Sequence, residues 1–164
     1  MKKIFFFVFL LSFSYSSHNS SEYSIGINDK TGFFGWFSKS WIKEKDHGES
    51  YITAGGLGII GSVGYGEKHY FSKGSFFSPY VSLTGFGYYI LPMSENGEPK
   101  GSLGISGNLG VDVTTIKWKK NELKFQFGLF TAYDIINYQS LILPGEGGPS
   151  FLMPSVNIKV RFRK

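Results

Sequence analysis

The strongest constraint in this sequence is a strict alternation with a period of two. Between Gly101 and Thr115, Leu103, Ile105, Leu109, Val111 and Val113 occupy odd positions, interrupted only by Gly107. Ser102, Gly104, Ser106, Asn108, Gly110, Asp112 and Thr114 occupy the even ones. Side chains change sides at every residue of a strand but recur every 3.6 residues on a helix, so this stretch is a strand with one apolar face. Leu123, Phe125, Phe127 and Leu129 repeat the pattern against Lys124, Gln126 and Gly128. The polar Lys119-Lys120-Asn121-Glu122 between the two segments makes them a hairpin. Val156, Ile158, Val160 and Phe162 repeat it again against Ser155, Asn157, Lys159 and Arg161, after a proline that confines the strand start.

Five further stretches read as strands: Tyr23 to Asn28, Gly32 to Ile42, Tyr51 to Val63, Gly64 to Ser72 and Tyr80 to Leu91. The Gly32 to Ile42 segment also fits an amphipathic interfacial helix, with Phe33, Phe37 and Trp41 at i, i+4 and i+8. Composition supports the strands. Among 164 residues there are 22 Gly, 17 Phe, 10 Tyr and 3 Trp, and glycine costs about 1 kcal/mol inside a helix whereas aromatics favour sheets. The expected fold class is all-β, an antiparallel up-and-down barrel of about eight strands, an even number that can close.

The chain starts with an address. Met1-Lys2-Lys3 is cationic, Ile4 to Leu11 is an unbroken apolar run too short to span a bilayer as a helix, and Ser14-Tyr15-Ser16 offers small residues for cleavage. This predicts a signal peptide at 1–16 and a mature domain at 17–164. Removing the leader lowers the net charge from +5 to +3 and leaves lysines and arginines spread along the chain. Export and the lack of a basic, base-reading face argue against nucleic acid. With no cysteine, disulfide scaffolds, thiol catalysis and Cys-bound zinc or haem are excluded.

Connection lengths extend the barrel reading. Lys73-Gly74-Ser75 and Lys119-Lys120-Asn121 are short, whereas Pro92 to Lys100 and Ile136 to Pro149 are long. Membrane barrels have short periplasmic turns and long external loops, so both termini are expected to be periplasmic. Near strand midpoints the non-apolar face carries Ser106, Asn108, Gly110 and Gly128, small groups that suit the narrow interior of an eight-stranded barrel. Asp112, Lys124, Asp134, Lys159 and Arg161 share that face, and Asp112 or Asp134 is expected to pair with Lys or Arg in the lumen. Tyr88, Tyr89, Trp118, Tyr133 and Tyr138 near strand ends suit the aromatic girdles of a bilayer interface.

On this signal peptide, these Gly- and aromatic-rich strands and the ending Val156-Asn157-Ile158-Lys159-Val160-Arg161-Phe162, the chain resembles small eight-stranded outer-membrane barrels such as OmpX and the OmpA transmembrane domain. The resemblance implies residence in the cell outer membrane among its lipids. It also implies recognition by the barrel-assembly machinery through Val156, Ile158, Val160 and Phe162, although Arg163 and Lys164 follow the aromatic on which that signal usually ends.

Motifs with chemical potential are few. Gly56-Leu57-Gly58-Ile59-Ile60-Gly61 has the spacing of a dinucleotide fingerprint, but lacks the helix and the acid about 20 residues on. Glu44, Asp46, His47 and Glu49 could ligate a divalent ion but, interleaved with Lys43, Lys45 and Gly48, read as a solvated turn. His18 lies beside the new N-terminus and His69 could face the lumen. Phe37-Ser38-Lys39-Ser40-Trp41 resembles the Asp-Ser-Trp segment of the outer-membrane lipid A palmitoyltransferase, with Lys39 where the aspartate stands. The leading expectation is a non-catalytic outer-membrane barrel acting structurally or through its external loops, with no cofactor, metal or catalytic site. Two alternatives are a lipid-modifying acyltransferase or hydrolase that depends on Ser40 or on a histidine, His47 or His69, and a soluble ligand-binding barrel with the Leu103 to Val113 face lining a cavity.

Overall fold

The computed structural model describes residues 19–27, 30, 36–57, 60–73, 76–92, 100–137, 139–140 and 152–164. The expected signal peptide at 1–16, His18 and Tyr138 lie outside them, as do residues 32–35 of the segment that could have been an interfacial helix.

The strands are β1 (Ser20–Ile27), β2 (Phe37–Lys45), β3 (Gly48–Leu57), β4 (Ile60–Tyr70), β5 (Phe77–Ile90), β6 (Lys100–Trp118), β7 (Asn121–Asp134), the two-residue β8 (Gln139–Ser140) and β9 (Met153–Arg163). Successive long strands pair antiparallel, and β9 pairs with β7 on one side and β1 on the other. Eight long strands therefore close into a barrel. Phe37 to Ile42 is strand, with Phe37 and Trp41 on the outer face.

Two boundaries differ from the sequence reading. Tyr51 to Val63 is not one strand but the end of β3 and the start of β4, whose ladder runs to Leu57↔Ile60 across positions 58–59. Passing from β3 to β4 switches which parity faces outward, so that Ile52 faces out on an even position and Val63 on an odd one, and this is why Ile52 breaks the alternation. The acidic stretch is also mostly strand: Lys43 to Lys45 end β2, Gly48 and Glu49 begin β3, and only Asp46 and His47 turn.

Three short connections, 46–47, 71–76 and 119–120, lie at the same end as Ser20 and Arg163. Lys119 takes a φ of 53°, the left-handed conformation that lets the tight β6–β7 reversal form. Connections 28–36, 58–59, 91–99 and 135–152 join strands at the opposite end, and of these only 58–59 is as short as a two-residue reversal. β8 pairs with β7 through Tyr133↔Ser140, and β9 takes up the same edge at Phe130↔Met153. Partner numbers add to 273 along β7–β8 and 283 along β7–β9, a register offset of ten.

The faces are those of a membrane barrel. Leu109 is 54% exposed while its neighbour Asn108 is 8% exposed. Ile25, Leu83, Leu103, Ile105, Phe127, Leu129, Val156, Ile158 and Phe162 likewise point outward. At 41–64% exposed, each would forgo about half of the roughly 1.5–3 kcal/mol of full burial if left in water, and a hydrocarbon surround recovers it. The apolar face of β6 therefore points away from the lumen, not into the enclosed cavity that a soluble ligand-binding barrel requires. Serines, threonines, glycines and amides fill the middle of the lumen, with Tyr51, Tyr80, Phe86 and Phe130 buried among them. Glycine makes the room: a Cβ on Gly66 would sit 2.7 Å from the Tyr51 hydroxyl, and one on Gly110 would collide with the Phe127 carbonyl.

Candidate functional site

The groups with chemical capacity lie in the lumen, where strand parity aims them. Glu22 alternates with Ser20 and Ser24 on β1, Glu49 with Tyr51 and Thr53 on β3, and Arg161 with Lys159 and Asn157 on β9. All three acidic and basic anchors fall near the short-turn end of their strands.

Arg161 is the centre of this layer. Its Nε and Nη2 donate to Glu22 Oε2 at 2.9 and 2.6 Å, Nη2 lies 2.8 Å from Glu49 Oε2, and Nη1 lies 3.6 Å from Glu44 Oε1. Lys30 completes it from an unexpected direction. This residue belongs to the β1–β2 connection at the long-connection end, yet its Nζ donates to Glu22 Oε1 at 2.9 Å and Glu49 Oε1 at 3.1 Å. The ammonium also stands 4.5 Å over the Tyr51 ring. Lys159 Nζ is 3.8 Å from Glu22 Oε1.

A second pair sits beside the first. Lys68 Nζ donates to Asp112 Oδ2 at 2.6 Å, lies 3.6 Å over the Tyr80 ring, and shares that carboxylate with the Tyr70 hydroxyl at 3.0 Å. At the rim, Arg163 links Glu44 at 2.9 Å to Glu122 at 2.6 Å, and Lys124 meets Glu122 at 3.0 Å. Charges so deep are stable only when paired and hydrogen-bonded. The result is a plug of side chains across the lumen.

Above this layer the contacts are neutral. Ser40 Oγ donates to Thr53 at 3.0 Å, the Tyr51 and Thr84 hydroxyls share a hydrogen bond of 2.7 Å, and Asn108, Gln126 and Asn157 all donate to Ser155 Oγ at 2.9 to 3.2 Å. At the long-connection mouth, Asp134 accepts from Tyr88 and Ser102, both at 2.6 Å, and from the Ile136 and Asn137 amides at 2.9 Å. These bonds fix the first turn of the β7–β9 connection.

Several sequence expectations can now be placed. Lumen pairing with a base holds for Asp112 through Lys68; Asp134 is satisfied by hydroxyls and amides instead. Tyr89 and Trp118 face outward as girdle residues should, but Tyr88 turns inward to Asp134. The solvated-turn reading of Glu44, Asp46, His47 and Glu49 is corrected for Glu49, which is buried against Arg161 and Lys30 because it shares the inward parity of Tyr51. Among the described residues no group of three or more His, Asp or Glu side chains is placed to hold a metal ion. The Gly56 to Gly61 fingerprint runs from the end of β3 to the start of β4.

No catalytic constellation is assembled from the enzyme candidates. Ser40 is buried against Thr53, His47 lies in a turn, and His69 points out of the barrel with its ring edge-on to Phe71 at 6.2 Å, away from the lumen it could have faced. Lys39 faces outward between the Tyr23 and Trp41 rings, at 5.2 and 5.3 Å. A nucleophile needs its base within hydrogen-bond reach, and these residues occupy different faces.

Sequence reasoning missed Glu22, Lys30, Glu49 and Lys68 as lumen ions. Parity was the available signal for Glu22, Glu49 and Lys68, each two residues from inward-facing neighbours. Lys30 lies in a connection, where no periodicity exists.

No protein-family model and no curated protein matches the sequence. Among solved structures, the chain is similar to the N-terminal β-barrel domain of Pseudomonas aeruginosa OprF, with 14% identity, a TM-score of 0.58, and coverage of 88% of this chain and 98% of that one. The chain thus has the fold of an eight-stranded outer-membrane β-barrel.

Proposed function

We propose that this chain is an integral protein of the bacterial outer membrane, exported by a cleaved signal peptide at 1–16, whose role is structural or interactive and not catalytic. The observation that carries this reading is the inverted barrel: apolar side chains outside, a filled polar and ionic lumen inside. Interaction with external partners would fall to the connections 91–99 and 135–152, while the opposite end of the barrel, with connections 46–47, 71–76 and 119–120 and with Ser20 and Arg163, would face the periplasm. Val156, Ile158, Val160 and Phe162 form the outward face of the last strand and would be read by the barrel-assembly machinery.

The test is fractionation with gel migration. Urea-washed outer membranes should retain the protein, and an unboiled sample should migrate differently from a boiled one, as a closed barrel unfolds only on heating. Recovery in the soluble periplasm would overturn the proposal.

A further inference from the structure

The ionic layer opens at the short-turn end onto a cavity of about 150 Å³. Its wall carries five cations, Lys73, Lys117, Lys124, Arg161 and Arg163, against two acids, Glu44 and Glu122. Both acids are already engaged by the arginines and Lys124. Among the described residues, Lys73 and Lys117 have no carboxylate partner; the Lys73 ammonium donates to the Lys45 carbonyl at 2.7 Å. Arg161 is spoken for from behind by Glu22 and Glu49, so the uncompensated positive charge faces the cavity.

We propose that this mouth is a binding site for a phosphate-type oxyanion. Volume limits the size, because sites for drug-sized ligands begin near 300 Å³, so the occupant is a single small anionic group. Direction selects its shape. The cationic groups come from β6, β7, β9 and the β4–β5 connection, so they approach from several sides of the cavity. A tetrahedral oxyanion presents oxygens to all of them, whereas a planar carboxylate serves one side. The Thr114 hydroxyl is a further polar group on the wall. The site needs only the closed barrel and is independent of where the protein resides.

Phosphate chemistry could come from a free ion or from a phosphomonoester headgroup of a lipid. The full chain in a maltoside detergent should be titrated with inorganic phosphate by calorimetry at low ionic strength, with sodium chloride at matched ionic strength as the blank. In parallel, nanodiscs of phosphatidylcholine with and without phosphatidic acid should be compared by the amide spectra of the barrel. Saturable one-to-one binding in the first arm assigns free phosphate; a localised response to phosphatidic acid alone assigns a headgroup. In either case K73Q/K117Q, at two exposed lysines, should weaken binding at least tenfold, while the outward K39Q leaves it unchanged. Heat-modifiable migration of both variants verifies the fold. Absence of binding in both arms, or equal binding by K73Q/K117Q, overturns the proposal.

Discussion

Arg161 holds Glu22 and Glu49 with one guanidinium, and its fork geometry cannot be copied by a point-charge ammonium. Removing it leaves two carboxylates in a water-poor lumen with Lys30 and Lys159 nearby. Breaking such a buried pair from one side costs about 3–5 kcal/mol. Arg161→Met should therefore lower the stability of the barrel by about that amount in urea titrations from detergent, and Arg161→Lys should recover only part of it. A variant as stable as the parent would show that the lysines alone suffice. The inward direction of these ions was legible in the two-residue period, but not their partners. Glu22 and Arg161 stand at opposite ends of the chain and meet only because β9 closes on β1.

Strands were the most legible level. β6, β7 and β9 stood out because one face is uniformly apolar and the other small or polar over most of their length. β3 and β4 were harder, since five glycines between positions 55 and 64 remove the side chains that would mark parity. β2 was obscured by Lys39, a charge on the outward face that its aromatic neighbours shelter. The assignment of faces has a direct measurement. Leu109→Arg places a charge on the outward face between Val81 and Leu129 and should cost about 2–4 kcal/mol in bilayers if that site lies near the midplane. Spin labels should report lipid contact at Leu109 and restricted, lipid-free motion at Asn108; the reverse pattern would invert the barrel.

At the scale of the whole molecule, β8 and β9 occupy one edge of β7 with a register offset of ten, and only Thr131 and Ala132 separate their ladders. Excising residues 142–151 would bring Leu141 and Leu152 opposite those two positions and make one continuous strand. Loop-closure entropy changes slowly with length, so the excised chain should fold to the same heat-modifiable barrel with stability within about 1 kcal/mol of the parent. Failure to fold would show that the excursion itself supports the wall. The position of the ionic layer carries a further consequence, for the route into the membrane. Glu22, Glu49, Lys68, Asp112, Lys124, Lys159 and Arg161 all sit toward the short-turn end, and the turns and chain end there add Lys73, Lys119, Lys120 and Lys164. The far connections carry chiefly acids, Asp29, Glu95, Glu98 and Glu146, which are less costly in lipid than Lys or Arg. A barrel that enters with those connections leading leaves most of its Lys and Arg side chains trailing at the surface it came from, so that of the basic groups chiefly Lys30, Lys39 and Lys100 have to cross the hydrocarbon.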